Sequence, residues 1–528
     1  MSAAPVTDAD AIVVGAGLSG SWVAKELTAG GMTVALLDAG PILSEARIAG
    51  QPQSADLFNP RHQLFRLKLL LKGDRQRAFS RFVHSGTADL YLDRSKDPYA
   101  TATGRDFSWT RVRAVGGRGH LWGRVMLRLT NRELTRPGFE WPVRYEELAP
   151  FYSDVERLLD LGGAPSGLPG VPDGAFVHQR TLHPLEAQFC AGVARRWPDR
   201  QAAVNHVAAY EPAPLSPMLA AAQATGRLRL APNTVVAALA TDGPANAVTG
   251  VVTVTAATKA IETLRAPIVI LAASAFETVR ILLNSRSDKH RTGVGNGHGL
   301  VGTRILEHMM TSLMRELPAS ARSAKPKYGH NPFKLNAEPH GFYLPPFGSS
   351  EATVGGYSAG YGVQGTLSAD TGLVFLGAFG ETEPMERNRL RLNAAQLDGN
   401  GIPSATIDFS WSNADLALYK EQSRTLAEMM QAFAEDSGIE LVNPVAGKAY
   451  DLLIGDRPPV PGSNHESGGA RMGTDPAASV VDPYNRVWDA PNVLVCDSAC
   501  FPSLPHQNPT LTTMALAVRA ARKLLATV

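Results

Sequence analysis

The stretch from Ala11 to Asp38, AIVVGAGLSGSWVAKELTAGGMTVALLD, constrains the chain most, because it has room for a strand, a glycine-rich turn, a helix and a second strand and for little else. Four apolar residues, Ala11 to Val14, run into Gly15, Gly17 and Gly20 at the spacing of a dinucleotide cradle. Gly15 permits a tight turn, Gly17 lets backbone approach a pyrophosphate, and Gly20 lets the helix pack close to the sheet. Leu18 and Ser19 open that helix, whose positive end faces where the phosphates would sit. After the Gly30-Gly31 turn, the second strand closes on Asp38, at roughly the twenty-residue spacing of an acid that hydrogen-bonds an adenosine ribose. A carboxylate there repels a 2′-phosphate and disfavours NADP. Between FAD and NAD this stretch does not choose.

The totals narrow the surroundings of this unit. A chain of 528 residues buries a large core and is expected to form two domains with interleaved segments. A net charge of +2 argues against a nucleic-acid surface. Cys190, Cys496 and Cys500 make neither a disulfide framework nor a zinc pattern, and the last two, four apart in an apolar stretch, read as small buried hydrophobes rather than a redox pair. The opening MSAAPVTDAD has no basic region of a secretory or twin-arginine signal, so a cytoplasmic location is expected. Apolar runs such as Ile268 to Ala273 are far short of a membrane span.

Further along, HQLFRLKLLLKGDRQRAFSRF is basic and partly amphipathic, and Leu64 and Leu67 suit a helix with a solvated or subunit-contacting face. Gly116, Gly117, Gly119 and Gly123 crowd a segment rich in arginine and aromatics, which suits backbone passing against a flat ring system. A period near 3.6 with early acids predicts a helix from about Tyr145 to Leu161. From Arg227 the pattern is that of a β-meander leading back to a buried parallel strand and a helix, IVILAASAFETVRILLNS. Between about Thr311 and Glu440 scattered prolines and glycine-aromatic pairs, Gly356-Tyr357 and Gly360-Tyr361, mark a second domain carrying the substrate wall. The chain ends with NHESGGARMG and with a strand, a loop and a helix entered through Asn508 as cap and Pro509 as first helical residue.

Together these blocks resemble the glucose-methanol-choline (GMC) family of flavin oxidoreductases, from the first strand to the last helix. The second glycine motif of that family is similar to Ala114-Val115-Gly116-Gly117 through Trp122-Gly123, its adenine-side strand to Asn233–Leu239 with Val236 as backbone contact, and its VVLAAGA…ETPRLLLLS pattern to the segment holding Ala272. The GNGHGLVGTRILEH stretch is similar to the glycine-rich turn that follows. His465, ahead of Gly468-Gly469 and Arg471-Met472-Gly473, and Asn508, in Asn508-Pro509-Thr510-Leu511-Thr512, fall where the family keeps its active-site pair. The flanks are most similar to the pyranose oxidase and bacterial sugar dehydrogenase branch. Asp497 matches an acid near the flavin ribityl chain. The resemblance selects FAD over NAD. It departs at one place: where some pyranose oxidases carry a flavin-linked histidine directly before the tryptophan, this chain has Leu121, with His120 one residue earlier. Non-covalent FAD is therefore expected, with His120 packing or hydrogen-bonding beside it.

The implied fold is α/β: a Rossmann-like FAD-binding domain made of residues 1–165, 226–310 and 451–528, an interleaved α+β substrate domain on an antiparallel sheet over 311–450, and a cap or substrate-domain segment over 166–225. The implied reaction is oxidation of an alcohol, with the hydroxyl proton passing to His465, whose residue type titrates near working pH, and hydride to flavin N5. Asn508 does not titrate, and suits holding the hydroxyl in line. The helix from Pro509 and Thr510 aims its positive end at charge on the reduced flavin. Of 13 histidines, His506 stands between pocket lining and a solvent-facing loop. No GxSxG elbow and no metal-ligand spacing appears. The substrate expected from the resemblance is a sugar, glycoside, cyclitol or aminoglycoside-like metabolite, and fifteen Asp/Glu against ten Lys/Arg in the second domain tolerate a cationic one. The electron acceptor, whether O₂, a quinone or a redox protein, is left open, as is the oligomeric state. The competing readings are an NAD-dependent dehydrogenase, a GMC enzyme acting on a non-sugar alcohol and a non-enzymatic nucleotide-binding scaffold.

Overall fold

A computed structural model describes residues 9–49, 60–71, 88–210, 213–242, 247–323, 341–347, 352–354, 357–370, 372–443 and 458–527. The opening strand, β1 (Ala11–Val14), is fully buried and leads through the glycine turn into α1 (Leu18–Ala29), which returns to β2 (Val34–Leu37). β1 lies between β2 and the strand Ile268–Leu271, parallel to both. A six-stranded sheet grows from this centre: Leu228–Ala231 extends it beyond β2, Ala490–Val495 extends it beyond Ile268–Leu271, and the antiparallel strand Arg486–Val487 closes that edge. The three central strands, β1, β2 and Ile268–Leu271, read as unbroken apolar runs because both of their faces are covered, which is the pattern of a parallel sheet. The remaining strands of the predicted meander, Thr234–Asp242, Ala247–Thr255 and Ile261–Arg265, form a separate three-stranded antiparallel sheet, whereas Leu228–Ala231 joins the parallel one.

The glycine turn is dictated by contact. A Cβ on Gly15, at φ +100°, would lie 2.3 Å from the carbonyl oxygen of Ala272, and one on Gly20 would lie 1.9 Å from that of Gly15. Gly17 differs: nothing lies within 4 Å of where its Cβ would stand. Its bareness keeps space open for something other than protein.

A second layer is a five-stranded antiparallel sheet, in the order Met309–Glu316, Leu373–Gly380, Tyr361–Ser368, Phe342–Leu344 and Ala203–Val204. Against it packs the 25-residue helix Asn413–Ser437, which starts at a Ser412/Asp415 capping box and stops at Gly438 in the left-handed region. Leu418, Leu426, Met429 and Phe433 from this helix join Phe342, Val363, Val374 and Leu376 in one core. The Arg-Leu-Arg-Leu strand at Arg389–Leu397 lies outside this sheet, paired with Pro403–Asp408 in a three-stranded sheet of its own.

The predicted helix from Tyr145 stops at Leu158 rather than Leu161, because Leu161–Gly163 pairs with Val207–Ala208 as a strand. A helix does form over Pro60–Leu71, with Leu64 and Leu67 about half exposed, while the rest of the basic stretch and Gly356 lie outside the described residues. All three cysteines are free and buried. Among the described residues, no helix is long and apolar enough to cross a membrane.

The two glycines separate fold from ligand. Gly15→Ala is expected to cost the apoprotein at least about 2 kcal/mol in urea unfolding, from left-handed strain and the clash with Ala272. Gly17→Ala is expected to cost less than about 1 kcal/mol there, while abolishing cofactor retention on purification.

Candidate active site

One long cavity, of about 300 Å³, runs from the glycine turn to the C-terminal helix. At one end it is walled by Gly15, Gly17, Leu18, Ser19, Asp38 and Val236, and farther along by Gly117, Trp122, Ala272 and Asp497. His465, Asn508, Pro509 and Thr510 line it too. The remaining predicted contacts do not face it: Gly20 is pressed onto Gly15, and Val115, Gly116 and His120 lie behind the second glycine turn. There His120 Nε2 donates to the carbonyl of Val115 at 2.7 Å, and its ring is held against Gly116, which explains why it packs rather than reaches the cavity.

The donor set fits FAD. Asp38 accepts the backbone N–H of Ala16 at 2.8 Å and of Gly40 at 2.8 Å, so its carboxylate is fixed at the cavity wall with lone pairs to spare for a ribose hydroxyl. Burial pushes its pKa up to about 6, partly offset by those two N–H groups. Trp122 Nε1 and Glu466 Oε1, on cavity-lining residues, are buried without a protein partner among the described residues. Asp497 is held by Thr278, whose hydroxyl donates at 2.6 Å, and by the N–H of Ala499 at 2.9 Å.

The reactive end is built by non-local pairing. A two-residue antiparallel ladder joins Ile305–Leu306 to Ser467–Gly468, and its register carries Glu307 and His308 beside Glu466 and His465. His308 Nε2 lies 2.6 Å from the carbonyl oxygen of Pro505, and its Nδ1 lies 2.7 Å from Nδ1 of His465. A carbonyl only accepts, so His308 Nε2 carries a proton. Burial pushes the pKa of His308 down to about 4, so the ring is neutral and its Nδ1 is a lone pair. His465 must then donate from Nδ1, which leaves Nε2 unprotonated. That nitrogen lies 3.4 Å from Asn508 Nδ2. Asn508 is turned this way because its Oδ1 accepts from Gln364 Nε2 at 2.7 Å. The helix Pro509–Leu525 forms as expected, but the Asn508 side chain makes no cap hydrogen bond; Gln364 and His465 take it instead.

Sequence reasoning missed His308, Gln364 and a buried acid pair behind His465. Glu307 accepts the N–H of His308 at 2.9 Å, the N–H of His465 at 3.2 Å and the hydroxyl of Ser463, all on Oε1. Glu466 takes Arg118 at 2.6 Å on Oε2. The other oxygen of each carboxylate is buried without a partner among the described residues. Burial, then the charge of Glu466, raises the pKa of Glu307, so Glu307 holds a proton through neutral pH. Only the Glu307-His308 dipeptide left a trace in the sequence, at the end of the GNGHGLVGTRILEH turn. His506 is buried rather than solvent-facing: Tyr343 Oη lies 2.6 Å from its Nε2, and Glu381 lies 3.4 Å from its Nδ1. Glu133, Glu381 and His506 come within 4.8 Å of one another, but Arg136 and Tyr343 already occupy this group and Glu133 caps Thr130. It is a structural network.

Known proteins are similar to this chain over most of its length. Residues 384–517 match the C-terminal domain model of the GMC oxidoreductases. The chain is 26% identical to 2-methyl-1,2-propanediol dehydrogenase of Mycolicibacterium austroafricanum, over 97% of this chain and 94% of that one. It is also 26% identical to paromamine 6'-oxidase of Streptomyces fradiae, over 97% and 90%. A formate oxidase of Aspergillus oryzae superposes with a TM-score of 0.70 at 16% identity, covering 99% of both chains.

The acid pair yields a test. An unfolded glutamate titrates near 4.5, whereas Glu307 keeps its proton to higher pH in the folded chain, so the native state binds more protons in that window and stability falls as pH rises through it. Glu307→Gln, which carries a permanent donor in place of that proton, is expected to flatten the decline, read as urea midpoints across the window. An unchanged slope contradicts a protonated Glu307.

The cradle, the acid fixed on its wall and the match of residues 384–517 to a GMC oxidoreductase domain lead to one conclusion: the chain is an FAD-dependent enzyme that oxidises alcohol groups, and the NAD reading falls.

Proposed function

We propose that this enzyme oxidises an alcohol of a polyhydroxylated small molecule, a sugar, glycoside, cyclitol or aminoglycoside-like metabolite, with His465 as proton acceptor and Asn508 as the group that holds the hydroxyl. The observation that carries this reading is the unprotonated Nε2 of His465, 3.4 Å from the Asn508 amide donor on the wall of the cofactor cavity. Bound FAD supplies an acceptor for the hydride that leaves the alcohol carbon. The substrate oxygen would lie between the two side chains, receiving an N–H from Asn508 while its own proton passes to His465 Nε2. As His465 becomes an imidazolium, its Nδ1–H strengthens its bond to the neutral ring of His308, which the Pro505 carbonyl holds still. His308 is thus a positioning residue. The substrate class is supported by the relatives, one named for 2-methyl-1,2-propanediol and one for paromamine.

Burial, then the neighbouring His308 and Arg118, hold His465 well below the usual 6.5, so the base is neutral across the working range. Anaerobic flavin bleaching by a panel of sugars, cyclitols and aminoglycosides tests the reading. Its rate is expected to show no loss from histidine protonation between about pH 8 and 6.5. His465→Ala is expected to slow bleaching by roughly 10²–10⁴-fold with FAD still bound. His308→Ala is expected to lower kcat by about tenfold or more with KM little changed. Undiminished bleaching in the His465 variant removes this residue from the mechanism.

A further inference from the structure

A second cavity, of about 340 Å³, lies apart from the FAD cavity and shares no lining residue with it. Four arginines line it: Arg286 and Arg291 from the segment after the helix Ala275–Asn284, and Arg389 and Arg391 from the strand Arg389–Leu397. No acidic side chain does. Arg389 and Arg391, two apart on one strand, present their side chains to the same face. Among the described residues, Arg286 and Arg389 are tied only through Nε, to the carbonyls of Leu283 at 3.3 Å and of Glu386 at 2.8 Å, which leaves their terminal nitrogens without a partner there. Arg291 and Arg391 make no hydrogen bond or ion pair among the described residues. The acid closest in sequence to the strand pair, Glu386, is already engaged by Arg304 at 2.7 Å and Arg471 at 3.5 Å.

Four guanidinium groups in one concavity repel one another, and the apolar floor of Leu283, Val301 and Leu390 keeps the field from being fully screened. Elsewhere in this chain arginines are mostly matched with acids, as Arg280 is with Asp398 and Arg128 with Glu156. We infer that this cavity is a binding site for a compact oxyanion of two or more charges, the phosphate or pyrophosphate group of a small metabolite or the free ion. Planar guanidinium groups grip such oxygens in pairs, and several donors around one cavity select for multiple charge. The wall is also tied to the active-site segment. The N–H of Gly302 donates to the carbonyl of Gly469 at 2.7 Å, and Arg471 donates to the Thr303 hydroxyl at 3.1 Å. An anion bound here therefore stiffens the chain that carries His465.

The experiment is calorimetric titration of the FAD-loaded enzyme with inorganic phosphate, pyrophosphate and a sugar phosphate, each at ionic strength matched with sodium chloride, alongside melting curves. Saturable one-to-one binding and a raised Tm are expected, stronger for pyrophosphate than for phosphate if charge decides and strongest for the sugar phosphate if a metabolite is the natural occupant. The double variant Arg291→Ala/Arg391→Ala removes two exposed side chains without partners and is expected to fold normally while binding roughly tenfold or more weakly. Arg387→Ala, an exposed arginine outside the cavity lining, is the charge control and is expected to bind as the parent does. No saturable binding above the chloride baseline overturns the site. So does an affinity unchanged in the double variant, or equally reduced in the control.

Discussion

A backbone carbonyl can only accept a hydrogen bond, and the carbonyl of Pro505 thereby sets the proton positions on two imidazoles. With the Nε2 proton of His308 committed to that oxygen, the Nδ1 of His308 has only a lone pair to offer, and the Nδ1 of His465 must be the donor. On the proposed mechanism, the consequence is a base whose lone pair is aimed before any substrate arrives. A carboxylate in the position of His308 would hold the same tautomer but add a full negative charge in a buried site, at a desolvation cost of several kcal/mol. A neutral imidazole orients without that charge. Burial then keeps His465 deprotonated below the ordinary histidine range.

Everything around this contact serves its placement. The short ladder between Ile305–Leu306 and Ser467–Gly468 brings two sequence-distant dipeptides side by side, and Glu307, taking the N–H groups of both histidines on one oxygen, pins them together. Gln364, from the antiparallel sheet, turns the Asn508 amide. The parallel sheet supplies the other half: β1 and β2 deliver the glycine turn and Asp38 to one wall of the cavity, and Ala490–Val495 delivers Asp497 to another. The two sheets meet at the reactive end because the C-terminal segment, running from Asp497 through Asn508, belongs to the first and touches the second.

What was legible in the sequence was what backbone geometry demands locally. Gly15 and Gly20 are readable because a Cβ there would collide with backbone, and Asp38 because the length of a βαβ unit fixes its place. The proposed pair, His465 and Asn508, is reached only through family resemblance, since one histidine among 13 carries no signature of its own. His308 and Gln364 were not legible, because their roles arise from contacts across more than a hundred residues and leave no periodicity behind. The same reason explains His506: the sequence leaves it between pocket lining and a solvent-facing loop, and Tyr343 and Glu381 enclose it from elements far away in the chain. The end of the helix at Leu158 was misjudged because pairing of Leu161 with Ala208 outweighs a helical pattern that would otherwise continue.

The central claim is the proton inventory of His465, and it is open to direct observation. Nitrogen-15 NMR of the FAD-loaded enzyme with labelled histidine, assigned by comparison with a His465 variant, reports which ring nitrogen carries hydrogen. The account predicts a protonated Nδ1 and an unprotonated Nε2 at neutral pH, with the opposite tautomer absent. A protonated Nε2, or a doubly protonated ring, would contradict it.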